Sequence, residues 1–426
     1  MNGLKKNLKI LLIPDKLLTY DLNQLEGIKN ALDEFNIESH IFKSEYSDYK
    51  IKKYLNDNSF NIVFAINKGR PEKLNKKIRF ISWFQDFYYN SDDLLENYQN
   101  SDIVYFYTSQ ESFGVSKNIE CFTSTLYPGV DPSNVTSLLE SVSYNQNQVD
   151  NYQKLDFSIC GYMPGTILAP FIDLYFRNYE FKEENFIDSY FIKWFHELTH
   201  KNEKKYKLDF YKKFIVDLQV IVETNYIPLS GNLNVKLIAS KIKARIQENF
   251  KYLDSKIFKE WIPFFSTEYP RFLDRIELAR LLSKHSHNFG LFGKEWLYYL
   301  EFESFAGAHI SKTQDLFKVY RKSKINLFNN THGLGMHSKV FEIFANGGFL
   351  ALPKSNKNSS LGGINEGFNE NEHFVTFTKE NFEDLVNDWL FNTKKRVEIG
   401  KNVRNLVINN HTWKNRVNKI IEDLNL

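Results

Sequence analysis

The stretch THGLGMHSKVFEIFANGGFLALP, residues 331–353, decides how the chain is read. A glycine-bearing loop runs into a helix whose first turn carries Ser338 and Lys339. The helix stops at Gly347-Gly348, and an apolar run follows. Loop, helix, glycine stop and buried strand in that order make one α/β unit. A helix that begins this way is an anion site: its first N–H groups have no partner one turn back, its dipole is positive there, and Lys339 adds a full charge. One turn further on, Glu342 is placed to accept hydrogen bonds from a ribose diol, as acidic residues do in dinucleotide sites.

The same alternation recurs on both sides of this stretch. Upstream lie LDFSICGYM (155–163), a strand ending in Gly161, then a helix near 272–285, NFGLFGKEW (288–296) with Lys294, a helix near 312–322, and KINLFNN (324–330) with Asn329; HFVTF (373–377) and further helices follow. Between about 165 and 265 the pattern is helical instead. Ile187, Tyr190, Phe191, Trp194, Phe195 and Leu198 form a stripe at helical spacing, and amphipathic segments occupy roughly 205–222 and 233–259. Near the N-terminus, LKILLI (8–13) is followed by Leu25, Ile28, Leu32 and Phe35 at steps of 3, 4 and 3, then by SHIF (39–42), NIVFAI (61–66), RFISWF (79–84), DIVYFYT (102–108) and IECFT (119–123). These runs predict a second doubly wound parallel sheet. The turn-rich YPGVDPSNV (127–135) separates the two, so the expected organisation is an N-terminal domain over 1–135, a linker over 136–154, a C-terminal domain over 155–410 with a helical insertion at about 165–265, and a closing helix over 411–426 that packs back toward the first domain.

Whole-chain properties narrow the function classes. At 426 residues there is room for two cores. Lys plus Arg total 55 against 52 acidic residues, without long runs of one sign, which argues against a nucleic-acid partner. Two cysteines, Cys121 and Cys160, suggest neither a disulfide framework nor a thiolate metal cluster. No apolar run approaches the roughly 18 residues of a membrane span, so a cytoplasmic protein is expected, with peripheral association at the inner membrane face left open. The aromatic share of 16% and the aromatic helical insertion leave acceptor binding, membrane docking and oligomerisation as its alternative uses. One motif points elsewhere: FHELTHKNE (195–203) holds H-E-x-x-H, with His196, Glu197 and His200 in the zinc-hydrolase pattern. These residues fall opposite the apolar stripe of their helix, and Glu203 and Tyr206 stand where a metzincin needs Gly and His. A polar helix face is the expected reading and a zinc-dependent hydrolase the alternative.

The C-terminal hundred residues resemble group-1 glycosyltransferases of the GT-B fold, particularly the CgeB-like, spore-maturation branch. The resemblance rests on SKVFEIFANGGFLALP, on the segment that follows from NEGFNENEHFVTF, and on the closing His411, Thr412, Trp413 and Arg416 in an H-T-W-x-x-R pattern; LYPGVDPSN resembles the connection between the domains. It implies two Rossmann-like domains facing across a cleft and transfer of a sugar from a nucleotide-diphosphate donor, such as a UDP-sugar, to a glycan, lipid-linked glycan or protein acceptor, in bacterial surface, flagellar or spore glycosylation. Glu342 falls at the second glutamate of an E-x7-E motif, which binds ribose in that family. Lys339, Ser338, His337 and the Gly335 loop fall beside the donor diphosphate, with Gly161, Lys294 and Asn329 on the same side of the sheet. Leu334 stands where the first glutamate of that motif falls, a departure that leaves open the retaining outcome and a direct contact to the donor sugar.

The chemistry required is stabilisation of a departing diphosphate, which Lys339, Lys294 and a helix N-terminus can supply. The chain has no D-x-D pair, so no metal or other cofactor is expected. If the reaction inverts, a base must face the donor from the first domain. Asp86, in SWFQDFYY at a strand end, is the candidate. A non-catalytic, nucleotide- or glycan-binding relative is the remaining alternative, kept by Leu334.

Overall fold

In a computed structural model of the chain, the residues described are 8–44, 46–86, 94–113, 115, 118–141, 146–163, 208–249 and 261–425. The N-terminal sheet holds six parallel strands: β1 (Lys9–Ile13), β2 (Glu38–Ile41), β3 (Ile62–Ile66), β4 (Arg79–Phe84), β5 (Ile103–Phe106) and β6 (Phe122–Thr125), in the order β2-β1-β3-β4-β5-β6. All five residues of β3 are buried, as a strand covered by helices on both faces requires. Helix α1 (Thr19–Glu34) buries Leu25, Ile28 and Leu32, the stripe that the 3 and 4 spacing predicts, while Phe35 forms its C-cap. The last strand begins three residues later than IECFT predicts. It lies at the sheet edge with Phe122 and Thr123 exposed, so it offers no buried run to read.

The second sheet holds β7 (Leu155–Cys160), β8 (Phe289–Phe292), β9 (Ser323–Leu327), β10 (Leu350–Pro353) and β11 (Val375–Phe377), all parallel, in the order β11-β10-β9-β7-β8. Each sheet therefore reverses direction of winding once, between β1 and β3 and between β7 and β9. In open α/β sheets, ligands bind at the carboxyl ends of the strands flanking such a reversal.

The 136–154 segment, expected as a linker, contains two short helices (Leu138–Ser141 and Gln146–Tyr152), and its Leu138 and Val149 pack with Val397 of the C-terminal half. Of the expected insertion, Leu208–Glu223 and Val235–Asn249 are helices whose Phe214, Ile215, Leu218, Ile238, Ile242 and Ile246 join the same core as β7 and β8. His196, Glu197 and His200 lie outside the described residues. Among the described residues, no helix is long and apolar enough to cross a membrane.

The chain crosses between domains twice, side by side. The N–H of Val130 donates to the His411 carbonyl, and the N–H of Trp413 donates back to the Val130 carbonyl, both at 3.0 Å. Beyond this point the closing helix (Trp413–Asp423) buries Trp413, Val417, Ile420 and Ile421 in the N-terminal core. The H-T-W-x-x-R residues now have physical roles. Thr412 caps the helix through a reciprocal pair with Asn415. The His411 ring stacks on Phe341 at 5.0 Å, and Arg416 ties it to the first domain, with Nη2 lying 2.8 Å from His411 Nδ1 and Nε donating to the Pro128 carbonyl at 3.0 Å.

Candidate active site

The carboxyl ends of β7 and β9 bring a cationic group together. After β7 the chain turns at Gly161. A Cβ there would lie 2.8 Å from Arg275 Nη2 and 3.2 Å from Lys339 Nζ, so only glycine lets both cations approach the strand end without displacement. Lys339 Nζ donates to the Cys160 carbonyl at 2.8 Å. Arg275 donates to the Tyr162 carbonyl. Its Nε also donates to Asn329 Oδ1 at 3.4 Å, and the guanidinium lies 5.0 Å from the Tyr162 ring centre. Arg271 donates to the Tyr162 hydroxyl and to Glu268, each at 2.7 Å, and its Nη2 lies 3.2 Å from His332 Nε2. Both arginines and Glu268 share one face at steps of 3 and 4, where a π-helical turn (Phe264–Glu268) runs into the helix Tyr269–His285.

Lys339 is the second residue of the helix Ser338–Ala345. His337 is its N-cap, and the ring Nδ1 accepts from the Lys339 N–H at 3.2 Å. The cations hold each other down. Burial, then Arg275, lowers Lys339 to about 7. Burial, then Arg271, lowers Arg275 to about 10. Burial, then Lys339, lowers His337 to about 3, so its imidazole is neutral. Glu342, 3.5 Å from the Tyr320 hydroxyl, is raised to about 7 by burial, with Lys339 opposing. Lys339 and Glu342 thus titrate together near neutrality.

An anion placed among these cations would raise the Lys339 pKa again, since opposite charge favours the charged form. Binding of an anion such as inorganic pyrophosphate among these cations is therefore expected to take up protons, and its affinity to fall as pH rises from 6.5 to 8.5. Titration calorimetry in buffers of different ionisation heat measures the uptake; proton release, or affinity independent of pH, would contradict it.

The N-terminal sheet presents its own strand ends opposite. Asp86 follows β4 and accepts from Asn67 Nδ2 at 2.8 Å, while Asn67 Oδ1 accepts from the Gln85 N–H at 2.7 Å. Asp86 is open to water yet deep among groups of both domains. Burial, then Asp15, raises its pKa, and Arg271 of the other domain lowers it. The two faces meet at Tyr20, in the first turn of α1, whose hydroxyl lies 2.9 Å from Ser338 Oγ.

Of the residues expected from sequence, Gly161, Asn329, His337, Ser338, Lys339 and Glu342 converge on this one strand edge, and Asp86 faces it. Lys294 lies next to the same turn, but through its backbone: its carbonyl accepts from the Met163 N–H at 3.0 Å, and its side chain is exposed. Gly335 packs against Ile364, where a Cβ would lie 2.3 Å from the Ile364 Cβ, so the need for glycine there is one of packing. The sequence reading missed Arg271, Arg275, Tyr162, Tyr20 and Tyr107. No local signal marks the arginines: their helix also carries Asp274, Glu277, Arg280 and Lys284, and it is the fold that buries Arg275 and half-buries Arg271. Among the described residues, no three His, Cys, Asp or Glu side chains cluster as a metal site would need.

Comparison with known proteins agrees with this architecture. Residues 271–422 match the family described as Glycosyl transferase-like, a span that begins at Arg271 and covers roughly a third of the chain. No curated protein matches the chain by sequence. Among solved structures, the chain resembles Anabaena Alr3699/HepE in complex with UDP-glucose, with a TM-score of 0.50 and 10% identity over 98% of this chain and 100% of that one. The same protein in complex with UDP and glucose gives a TM-score of 0.46 at 9% identity, with the same coverage. At these identities the likeness is one of fold. The chain thus has the two-sheet architecture of the GT-B fold, and its residues 271–422 are similar to the Glycosyl transferase-like family.

Proposed function

We propose that the protein transfers a sugar from a nucleoside-diphosphate donor to an acceptor hydroxyl. One observation carries the reading: Lys339, Arg275 and Arg271 gather at the N-terminus of the helix Ser338–Ala345, and Asp86 faces them from the other domain. The donor diphosphate lies against these cations, with Ser338 at the helix start and Glu342 accepting from the ribose hydroxyls. The bond from the anomeric carbon to the diphosphate oxygen breaks, and its electron pair leaves with the diphosphate. A bond to the acceptor oxygen forms, and the acceptor proton passes to Asp86. A raised carboxyl pKa suits a base working near neutral pH.

Three basic side chains and a helix dipole supply the charge stabilisation that a metal provides in other transferases, which supports a metal-independent reaction. A neighbour of the same fold is described with UDP-glucose, so UDP is the first base to test. The acceptor is a glycan, lipid-linked glycan or protein hydroxyl that enters beside Asp86.

The test is thermal unfolding of chelator-treated protein with UDP, GDP, ADP, CMP, dTDP or zinc. At a hundred times Kd, a ligand that binds only the folded state adds about 2.7 kcal/mol of stability. One nucleotide is expected to raise the melting temperature by several degrees and zinc not to. Stabilisation by zinc alone would return His196, Glu197 and His200 to the centre of the chemistry.

A further inference from the structure

We propose that two tyrosines of the N-terminal domain, Tyr20 and Tyr107, complete the diphosphate site from across the cleft, so that the anion is bound by both domains at once. The inference rests on the donor reading above and adds residues that reading does not use.

The start of the helix Ser338–Ala345 is already partly satisfied. His337 Nδ1 takes the Lys339 N–H, and the His337 carbonyl takes those of Val340 and Phe341. The N–H of Ser338 instead faces the Tyr107 hydroxyl, and the Ser338 hydroxyl lies 2.9 Å from that of Tyr20. Tyr107 is 3% exposed, and its hydroxyl is buried beside the Tyr20 hydroxyl and the Ser338 N–H without closing a well-formed hydrogen bond among the described residues. Its ring stacks on Trp83 at 6.0 Å and lies 6.3 Å from the His337 ring, and its backbone packs closely on Gly362, where a Cβ would lie 2.9 Å from the Tyr107 carbonyl oxygen. The next residue, Thr108, donates through its hydroxyl to the Leu361 carbonyl of the C-terminal domain. A buried hydroxyl held between the Tyr20 hydroxyl and the Ser338 N–H, closing a good hydrogen bond to neither, is a donor placed for a ligand at the start of this helix.

Tyr20 complements it. Its side chain is half exposed, and its hydroxyl lies within the fields of both Glu342 and Asp86, between the ribose contact and the acceptor base. A phosphate oxygen entering here takes the Ser338 hydroxyl from Tyr20, and both phenols then donate to it. Phenol, serine hydroxyl and backbone N–H are all donors that suit an oxyanion. The phenols belong to one domain and Lys339 and the arginines to the other, so a diphosphate bound by both sets would bridge the two domains.

The experiment measures binding of inorganic pyrophosphate, of UDP, GDP, ADP and dTDP, and of the matching nucleosides, to wild type, Y20F, Y107F and the double variant. Phenylalanine keeps the ring stack on Trp83, and Tyr20 is exposed enough that Y20F leaves the fold intact. Each single variant is expected to bind pyrophosphate and the preferred nucleoside diphosphate about tenfold more weakly, the value of one charge-assisted hydrogen bond, with nucleoside affinity unchanged. Pyrophosphate and diphosphate affinities equal to or tighter than wild type in both variants would overturn the proposal and leave the tyrosines as an interdomain latch. If wild type itself binds neither pyrophosphate nor any nucleotide, the donor reading fails first.

Discussion

Lys339→Met is expected to lower sugar transfer by about a hundredfold to a thousandfold while the melting temperature holds or rises. The two halves of this result come from one cause. The ammonium is largely enclosed and crowded by Arg275, and its pKa is pulled from 10.5 to about 7. A group whose folded pKa is depressed in this way costs the folded state most below that folded value, and the cost disappears as pH rises through 10.5. Methionine fills similar space without the charge, so that cost is removed. Against this stands only the lost hydrogen bond to the Cys160 carbonyl, a net of about 1 kcal/mol. The function of the group is the opposite of its effect on stability. Removing one donor that stabilises a developing anion costs about 10²–10³ in turnover, because the leaving diphosphate gains charge as its bond to carbon breaks. The measurement is paired, turnover with the donor identified by thermal shift and melting across pH 6 to 9. A melting temperature that drops by several degrees would make Lys339 a structural residue. Arg275→Met is the contrast: Arg275 also holds the Tyr162 carbonyl and Asn329, and its loss should destabilise the protein as well as weaken binding.

How much of this was legible in the sequence depended on which forces wrote the signal. Buried parallel strands write continuous apolar runs, so β1, β3, β4 and β7 stand out, and β4 matches its expected bounds residue for residue. Edge strand β6, half in water, does not. The helix at 338 was legible because glycines bound it on both sides and its first turn carries chemistry. Strand order was not legible, and strand order is what puts Gly161 beside Asn329 and places the helix carrying Arg271 and Arg275 above both. Local pattern gives those arginines as ordinary helix charges. Tyr20 and Tyr107 were hidden differently: they are two among 24 tyrosines, and only the packing of one domain on the other sets them at the start of the Ser338 helix. The 136–154 segment read as a linker because it is polar, yet Leu138 and Val149 dock on Val397 with Leu139 and Tyr152 beside them, and polar side chains such as Glu140 and Asp150 bond to Arg404 and Thr393.

Trp413→Ala is expected to cost about 3–5 kcal/mol, the range for emptying a large aromatic site in a core. Trp413 is 7% exposed and sits where the closing helix enters the N-terminal domain. Two features show that the site is built around it. Gly27 on α1 lacks a side chain where the indole passes: a Cβ there would lie 2.3 Å from Trp413 Cδ1 and Nε1. The backbone on either side is fixed by the pairing with Val130 and by the Thr412 cap, so the helix cannot slide inward to fill the hole. The indole also meets Trp83 edge-on at 6.1 Å, and Trp83 stacks on Tyr107, so the C-terminal helix, the first core and the cleft form one aromatic chain. A cycle with Gly27→Ala separates packing from other causes. Alone, Gly27→Ala is expected to destabilise despite alanine's better helix propensity, because a rigid indole stands in its way. In the Trp413→Ala background the added methyl enters the vacated space and should stabilise instead. Additive effects in the two backgrounds would mean that Gly27 and Trp413 do not share this site in solution, and that the closing helix is held by its hydrogen bonds alone.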